Sequence, residues 1–323
     1  MGNIISWEAK REKEKEREEE MFADAMADME WLELGPTAIW TGLVTHHKDV
    51  FVSHVIPKLN RTDRFFFLEV SRESQDVLVY AGVNVSGLRA SVNECTSIPT
   101  LEWMWNHFPW GEKDMGGTVI DQAWFCAGVA LTNKLELLKW AREVKQCQWD
   151  EETIKVAAHE GNLEILKYCF SNDCPYDEEE KSYKQAIYGG HLDCLRFLFD
   201  KVKPSRDTEK EAAIQAACGG RINILKYLVE ERKIPEWKED EFSESSVEVK
   251  IECVLNAAMY GRLDCLNYLV EEAKVPLRDW RYVAYARYHE QPDCENYLLE
   301  KGCPEPTDEE YAEFVEDQQR DSE

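Results

Sequence analysis

Cysteine and histidine are the side chains in this sequence that could bind a metal or act in nucleophilic catalysis. No C-x-x-C pattern occurs, and Cys169 and Cys174, five residues apart, form only a weak metal-ligand pattern. Four histidines lack a cysteine at metal-ligand spacing: His107, His159, His191 and His289. No Ser-His-Asp, Cys-His or paired-carboxylate arrangement stands out, and Gly116–Gly117 lacks the pattern of a phosphate-binding loop. We therefore expect no enzymatic activity, no cofactor and no metal.

Three cysteines occupy a slot that branched apolar residues fill elsewhere in the chain. Cys194, Cys265 and Cys294 stand where Leu137 and Ile165 stand in other copies of a repeated phrase. Free cysteine packs as a small hydrophobe, so we predict core positions, with a metal or redox role as the alternative. The eleven cysteines are an odd number, and no secretory signal or long apolar run appears. This usage is typical of a reduced, intracellular protein, and we expect a cytoplasmic one.

The repeated phrase is the element that positions these residues. It reads GNLEILKY from Gly161 and GHLDCLRF from Gly190, and its third residue serves as an anchor. Six copies carry an anchor: Leu135, Leu163, Leu192, Ile222, Leu263 and Pro292. The steps between anchors are 28, 29, 30, 41 and 29 residues. A period in this range indicates stacked supersecondary units.

Each copy predicts two antiparallel helices joined by a glycine turn. Apolar residues three and five positions beyond the anchor form a helical stripe, which marks the second helix. A shorter helix before the anchor carries small residues such as Ala157–Ala158 and Ala216–Ala217. Glycines supply the turn between the helices: Gly161, Gly190, Gly220 and Gly261.

This arrangement, with A-A-x-x-G-x-L between two helices and a short link after them, resembles the ankyrin repeat across roughly residues 119–305. It is a divergent version, since the T-P-L-H opening is absent and the period is slightly short. The resemblance implies an all-α, ankyrin-like repeat solenoid that binds proteins. The last copy has Glu290 in place of the turn glycine and Pro292 as its anchor, which is typical of a terminal repeat.

The tips of the links are the predicted binding positions, because exposed aromatic residues make good interface anchors. They are Trp149, Asp150, Tyr176, Asp177, Trp237 and Trp280. Burial between neighbouring links is the alternative. The long fourth step contains an acidic insertion at 236–250, which we predict to be a loop that either binds a basic surface or has no partner.

The N-terminal residues 1–35 predict a charged helix that becomes amphipathic. The opening M-G-x-x-x-S fits N-myristoylation of Gly2, although the opening could match this short pattern by chance. We expect membrane association only if Gly2 is acylated, and then a reversible one.

Residues 44–80 resemble a degenerate F-box, with an apolar helix, Leu59, Asp63, an apolar segment and then Val70-Ser71-Arg72. The usual Leu-Pro start and the tryptophan after Ser71-Arg72 are absent. The resemblance implies that a Skp-type adaptor of a ubiquitin ligase would bind one group of apolar residues: Val50, Ile56, Leu59 and Phe66. Thr62 is the predicted cap of the second helix. The alternative is a helical cap that only shields the repeats, and residues 81–118 read as an eroded first repeat.

The net charge of the chain indicates the class of partner, and the last residues indicate how the solenoid ends. The formal net charge of −26 excludes nucleic acid as a partner and favours a partner with a basic surface. Thr307 and Glu310 predict a capping box for a closing helix through Phe314, followed by a fraying tail, within 306–323. We expect a monomeric interaction module: either a substrate receptor for a cullin-type ubiquitin ligase, or a plain scaffold or decoy.

Overall fold

The computed structural model divides the chain into an N-terminal unit, up to Phe108, and a repeat unit from Pro109 onward. The predicted eroded repeat at 81–118 spans this boundary. The described residues are 42, 44, 46–113, 117, 119–176, 181–234 and 244–320. They form seventeen α-helices and, within these ranges, no strand, which confirms an all-α repeat solenoid. One isolated antiparallel bridge joins Lys113 and Val119.

The described residues of the N-terminal unit form four α-helices: α1 (Lys48–His54), α2 (Arg61–Val70), α3 (Arg72–Tyr80) and α4 (Ile98–His107). Its core cluster joins α1 to α3 and to the segment after α3. The buried members are Val44, Phe51, Ile56, Val77, Leu78 and Leu88.

The start of α2 differs from the predicted one. Asn60, not Thr62, caps the helix by accepting a hydrogen bond from the Asp63 backbone N–H at 2.7 Å. Thr62 is fully buried, and its hydroxyl donates to the Glu94 carboxylate at 2.9 Å. The prediction failed because Thr62 has a distant partner, 32 residues away, that local pattern does not reveal.

The repeat unit consists of six helix pairs and one closing helix, α17 (Asp308–Arg320), within the described residues. The first helices are α5 (Gln122–Ala130), α7 (Glu151–His159), α9 (Lys181–Gly189), α11 (Arg206–Cys218), α13 (Glu244–Met259) and α15 (Arg281–Tyr288). The second helices are α6 (Leu135–Lys139), α8 (Leu163–Ser171), α10 (Leu192–Val202), α12 (Ile222–Lys226), α14 (Leu263–Glu271) and α16 (Pro292–Glu300). Both α6 and α12 continue as one π-helical turn, at Trp140–Val144 and Tyr227–Glu231.

First helices of neighbouring repeats pack more closely than second helices do. Their contact positions carry alanine, as predicted, and these alanines are fully buried: Ala157, Ala158, Ala186, Ala216, Ala217, Ala257, Ala258 and Ala286. Small side chains let helix backbones approach, so the alanine pairs explain the close layer. Cys194, Cys265 and Cys294 are also buried, as predicted, and burial raises the pKa of each thiol to about 11.

The turns within the pairs use left-handed backbone. The four turn glycines have φ between 67° and 85°, and Asn133 and Glu290 have φ 56° at the same position. After the turn at Asn133, the Lys134 N–H donates to the Thr132 hydroxyl. After the other five of these six turns, the next residue donates its N–H back to an alanine carbonyl, as Arg262 does to Ala257 at 2.7 Å. This bond satisfies a carbonyl that the helix end would leave unpaired, and glycine is preferred because a Cβ strains this conformation.

In three of the repeats, the residue after the turn also donates a side-chain hydrogen bond to the preceding repeat. Asn162 donates its side-chain amide to the Ala130 carbonyl at 3.0 Å, and Arg262 donates to the Cys218 carbonyl at 2.9 Å. Arg221 donates in the same way to Tyr188. These bonds extend from one helix end to the next turn and fix the spacing of the stack.

Two predicted boundaries are wrong. Helix α13 begins at Glu244, so the second half of the predicted loop 236–250 is helical; residues 244–259 contain neither glycine nor proline to stop a helix. Helix α17 continues to Arg320, beyond Phe314, although the predicted capping box is present: the Thr307 N–H donates to Glu310 at 2.8 Å.

Candidate protein-binding surface

The second helices form a layer whose charged and aromatic groups contact one another between repeats. Arg196 donates to Glu231 at 2.8 Å and lies 4.3 Å from the ring centre of Tyr227. Lys226 pairs with Glu272 at 3.0 Å and lies 4.9 Å from the ring centre of Tyr268. Exposed ion pairs of this kind add little to stability, but they engage the charged groups of this layer with one another.

Tyrosine hydroxyls complete these contacts. Tyr168 donates to Glu143 at 3.1 Å, and Tyr268 donates to Glu230 at 3.0 Å. Burial, with the hydrogen bond to Glu143, raises the pKa of Tyr168 to about 12. Burial and Glu230 likewise raise the pKa of Tyr268 well above its ordinary value. This layer therefore joins the repeats.

The first helices leave a different set of side chains open. Two positions before each turn stand residues that we call the first-helix row: Leu131, His159, Tyr188, Cys218, Met259 and Tyr288. Leu131 and Tyr188 are 39% and 45% exposed, and His159 is exposed as well. Cys218, Met259 and Tyr288 are half-buried, and Tyr260, which stands beside Met259 but outside the row, is 44% exposed. Helices pack roughly 8–10 Å apart, so the row forms one strip across the stack.

Side chains beside the row link one of its residues, Cys218, to the next repeat. Burial raises the pKa of the Cys218 thiol, and Arg262 and the Tyr260 hydroxyl, both from the next repeat, oppose that rise. At the C-terminal end the row meets α17, because the Phe314 ring lies 5.9 Å from Tyr288. The closing helix therefore ends the strip.

The predicted link-tip residues have different surroundings. Trp149 is half-buried, with Arg142 3.9 Å from its ring centre and Tyr168 at 5.9 Å. Asp150 caps α7 by accepting from the Glu152 N–H at 3.0 Å. Tyr176, at 41%, is exposed.

Of the other predicted site residues outside the N-terminal unit's core, one is half-buried and the rest lie outside the described residues. Trp280 is half-buried, and its ring lies 6.4 Å from Phe314. Asp177, Trp237 and Gly2 lie outside the described residues. The link tips therefore do not form one exposed aromatic surface among the described residues.

The predicted adaptor-binding residues lie in and around the core of the N-terminal unit. Ile56 is buried, while Val50, Leu59 and Phe66 are half-buried. The Phe66 ring lies 5.1 Å from that of Trp103. Among the described residues of this unit, the exposed large apolar side chains are instead Val70, Val79, Tyr80 and Ile98.

Sequence reasoning missed the first-helix row. The sequence does contain a signal for this row. Leucine, tyrosine or methionine stands two residues before four of the six turns, and residues close to a turn are expected to face solvent. The sequence predicts binding at the link tips instead, because tryptophan and tyrosine occur there.

Some site types are absent from the described ranges. No group of three or more His, Cys, Asp and Glu side chains there could hold a metal ion. None of the helices in those ranges combines the length and apolar character needed to span a membrane.

Comparison with known proteins bears on the repeat unit. The family model for ankyrin repeats, in three copies, matches residues 154–238. A search among curated proteins found no match. The match covers α8 to α12 and most of α7, whose turns and alanine contacts are described above. The chain therefore contains an ankyrin-repeat region, at 154–238, within an all-helical repeat solenoid.

Proposed function

We propose that this chain is a non-enzymatic binding protein that holds a partner protein along the first-helix row. Ankyrin repeats are protein–protein interaction modules, which supports the general class. The observation that carries the proposal is the exposure of the row residues Leu131 and Tyr188, and of Tyr260 beside the row residue Met259, on the first, third and fifth repeats. Aromatic side chains are enriched at interface hot spots.

Charge indicates the kind of partner. The formal net charge of −26 creates a field that speeds encounter with basic surfaces and opposes acidic ones. We therefore expect a partner whose contact surface combines apolar residues with lysine or arginine.

Site-specific photo-crosslinking tests the location. A photo-reactive amino acid replaces Tyr188 in the full chain, and in a control chain it replaces Val144, which is 65% exposed at the end of the second-helix layer. We expect a crosslinked protein from position 188 and none from position 144. Equal crosslinking from both positions, or crosslinking from position 144 alone, would show that the partner binds elsewhere.

A second candidate role is that of a substrate receptor in a cullin-type ubiquitin ligase. In the competing role, the chain is a plain scaffold whose N-terminal helices only cap the stack. What supports the receptor role is the F-box resemblance and the partial exposure of Val50, Leu59 and Phe66.

Direct binding to a purified Skp-type adaptor separates these roles. The receptor role predicts binding of the full chain, loss of binding in Val50→Glu, and no change in the exposed control Ser86→Ala of the same unit. Absence of binding at about 10 μM adaptor, corresponding to an affinity weaker than about −7 kcal/mol, would favour the plain scaffold.

A further inference from the structure

An open cavity lies within the N-terminal unit, between α1, the start of α2 and the segment that follows α3. Its volume is about 650 Å³, which falls in the range of roughly 300–1,000 Å³ that small-molecule sites occupy. Arg61 and Arg64 line it together with an apolar wall that includes Val52, Ile56, Val83 and Leu88. The cavity therefore combines positive charge with an apolar surface.

Hydrogen bonds hold both guanidinium groups at the cavity wall. The Arg61 Nη2 group donates to the Gly87 carbonyl at 2.6 Å, and the Arg64 Nη2 group donates to the Ile56 carbonyl at 3.0 Å. Both acceptors belong to residues that line the cavity. Arg61 is exposed, and Arg64 is half-buried with its Nε–H enclosed by the protein, so the Nη groups are the part of Arg64 that can reach a ligand. A guanidinium has five N–H donors, and one bond to a carbonyl leaves several of them for that purpose.

No carboxylate neutralises this pair of arginines within the described residues. None of the lining residues is acidic, and neither guanidinium forms an ion pair with any described residue. Asp63 and Glu94, at the start of α2, each accept a hydrogen bond from a threonine hydroxyl at 2.9 Å instead. Arg61 and Arg64 are three residues apart on one helix, a spacing at which side chains are neighbours and like charges repel. An anion bound between them would remove that repulsion.

The N-terminal unit does not share the strong acidity of the whole chain. Residues 46–108 contain six lysines and arginines and seven aspartates and glutamates, a formal charge of −1, whereas the whole chain carries −26. Exposed charges more than about 10 Å apart are largely screened at 0.1 M salt. The two guanidinium groups therefore dominate the potential inside this cavity.

We propose that this cavity binds a small phosphate monoester whose organic part is apolar. A phosphate monoester carries a charge of about −1.5 to −2 at pH 7, which matches two guanidinium groups better than the single charge of a carboxylate does. Arginine binds phosphate oxygens through paired N–H donors, and the apolar wall is suited to the organic part. This inference goes beyond the binding role proposed above and does not depend on it.

Methyl NMR of the full chain with phenyl phosphate as the probe provides the test, because Val52, Val83 and Leu88 line the cavity. We expect the probe to shift the methyl signals of these three residues and to leave those of Leu138, buried in α6, unchanged. Benzoate has the same ring with one negative charge, and it should bind at least about 5-fold more weakly. Inorganic phosphate should also bind more weakly, because it lacks the apolar part.

Arginine variants separate specific binding from a general effect of charge. We expect Arg61→Met and Arg64→Met each to weaken phenyl phosphate at least about 10-fold, because each removes charge-assisted hydrogen bonds to the phosphate. The matched control is Arg89→Met. Arg89 is exposed in the same unit and also donates to a carbonyl, that of Leu88 at 2.7 Å, but it does not line the cavity. This control should change the affinity less than about 2-fold, because distant exposed charges are screened.

The methyl spectrum of each variant without the probe shows whether the unit is still folded, and Arg61→Lys, which keeps the charge but not the forked donors, is the milder variant at the exposed position. It should weaken binding less than Arg61→Met does.

Three results would overturn the proposal. The first is the absence of shifts at Val52, Val83 and Leu88 at about 5 mM phenyl phosphate, where a site with a Kd of about 1 mM would be mostly occupied. The second is equal weakening by Arg61→Met and Arg89→Met, and the third is equal binding of benzoate. A phosphotyrosine peptide that binds at least about 10-fold more tightly than phenyl phosphate would replace the small ligand with a phosphorylated protein segment.

Discussion

Gly189 lies where the backbones of two repeats approach closely. A Cβ atom built there would lie well within van der Waals distance of the His159 carbonyl oxygen in the preceding repeat. Gly219 occupies the same position one repeat later, where the nearest atom is the Gln215 carbonyl oxygen at 3.3 Å. The two glycines therefore share a place in the sequence but differ in the space around them.

Alanine at these two positions gives a matched pair of variants. We expect Gly189→Ala to lower the free energy of unfolding by about 1–3 kcal/mol, because a backbone carbonyl must move. Gly219→Ala should change it by less than about 1 kcal/mol, because its neighbours need shift only slightly. Urea unfolding followed by circular dichroism measures both, and equal effects would contradict the close approach.

At the scale of single residues, the sequence predicts a role correctly where the local backbone conformation favours one residue type. The turn glycines were identifiable because the same residue recurs at each left-handed position. Thr62 was misassigned because its partner, Glu94, is remote in sequence. The first-helix row was missed because its residue types vary from repeat to repeat, and its exposure depends on how the helices pack.

At the scale of elements, the two helix layers have different chemistry. The first helices pack through alanines, whereas the second helices join through aromatic rings, lysines, arginines and carboxylates. Burial raises the pKa of Tyr168 to about 12 and raises that of Tyr268 further, while the buried Cys265 thiol has a pKa of about 11.

These shifts predict a loss of stability at alkaline pH. The unfolded chain releases its thiol and phenol protons first, at about pH 8.5 and 10, because its pKa values are the lower ones. The free energy of unfolding should therefore be fully present below about pH 8.5 and fall as the pH rises toward about 12.

Urea midpoints between pH 8 and 11.5 measure this decline. Tyr268→Phe should make the decline shallower, because it removes one group with a raised pKa. The exposed Tyr176→Phe is the control and should leave the slope unchanged. A midpoint that stays constant across this range would contradict the account of the second-helix layer.

The repeat predicts that each helix exists, but it does not predict where every helix begins and ends. The anchors and alanines specify two helices per repeat, and the ankyrin match at 154–238 agrees with that assignment. The predicted start of α13 and the predicted end of α17 are wrong because acidic, polar segments without glycine or proline can continue a helix that neighbouring packing stabilises.

For the whole molecule, a stack of repeats presents one extended surface whose adjacent positions come from successive repeats. The acidic charge of the chain and the exposed residues of the first-helix row are the observations behind our proposal of a basic, partly apolar partner. The fold could be predicted because the same helix-pair pattern recurs in every repeat. The identity of the partner could not, because the repeat pattern does not encode it.

The affinity of the purified partner, once crosslinking has identified it, is the most direct measurement of this account. The chain carrying both Tyr188→Ala, in the row, and Tyr260→Ala, beside the row residue Met259, should bind it at least about 10-fold more weakly than the original chain, because an aromatic hot spot contributes more than about 1 kcal/mol at an interface. Val144→Ala should bind normally. Unchanged affinity in the double variant, or an equal loss in Val144→Ala, would contradict binding through the first-helix row.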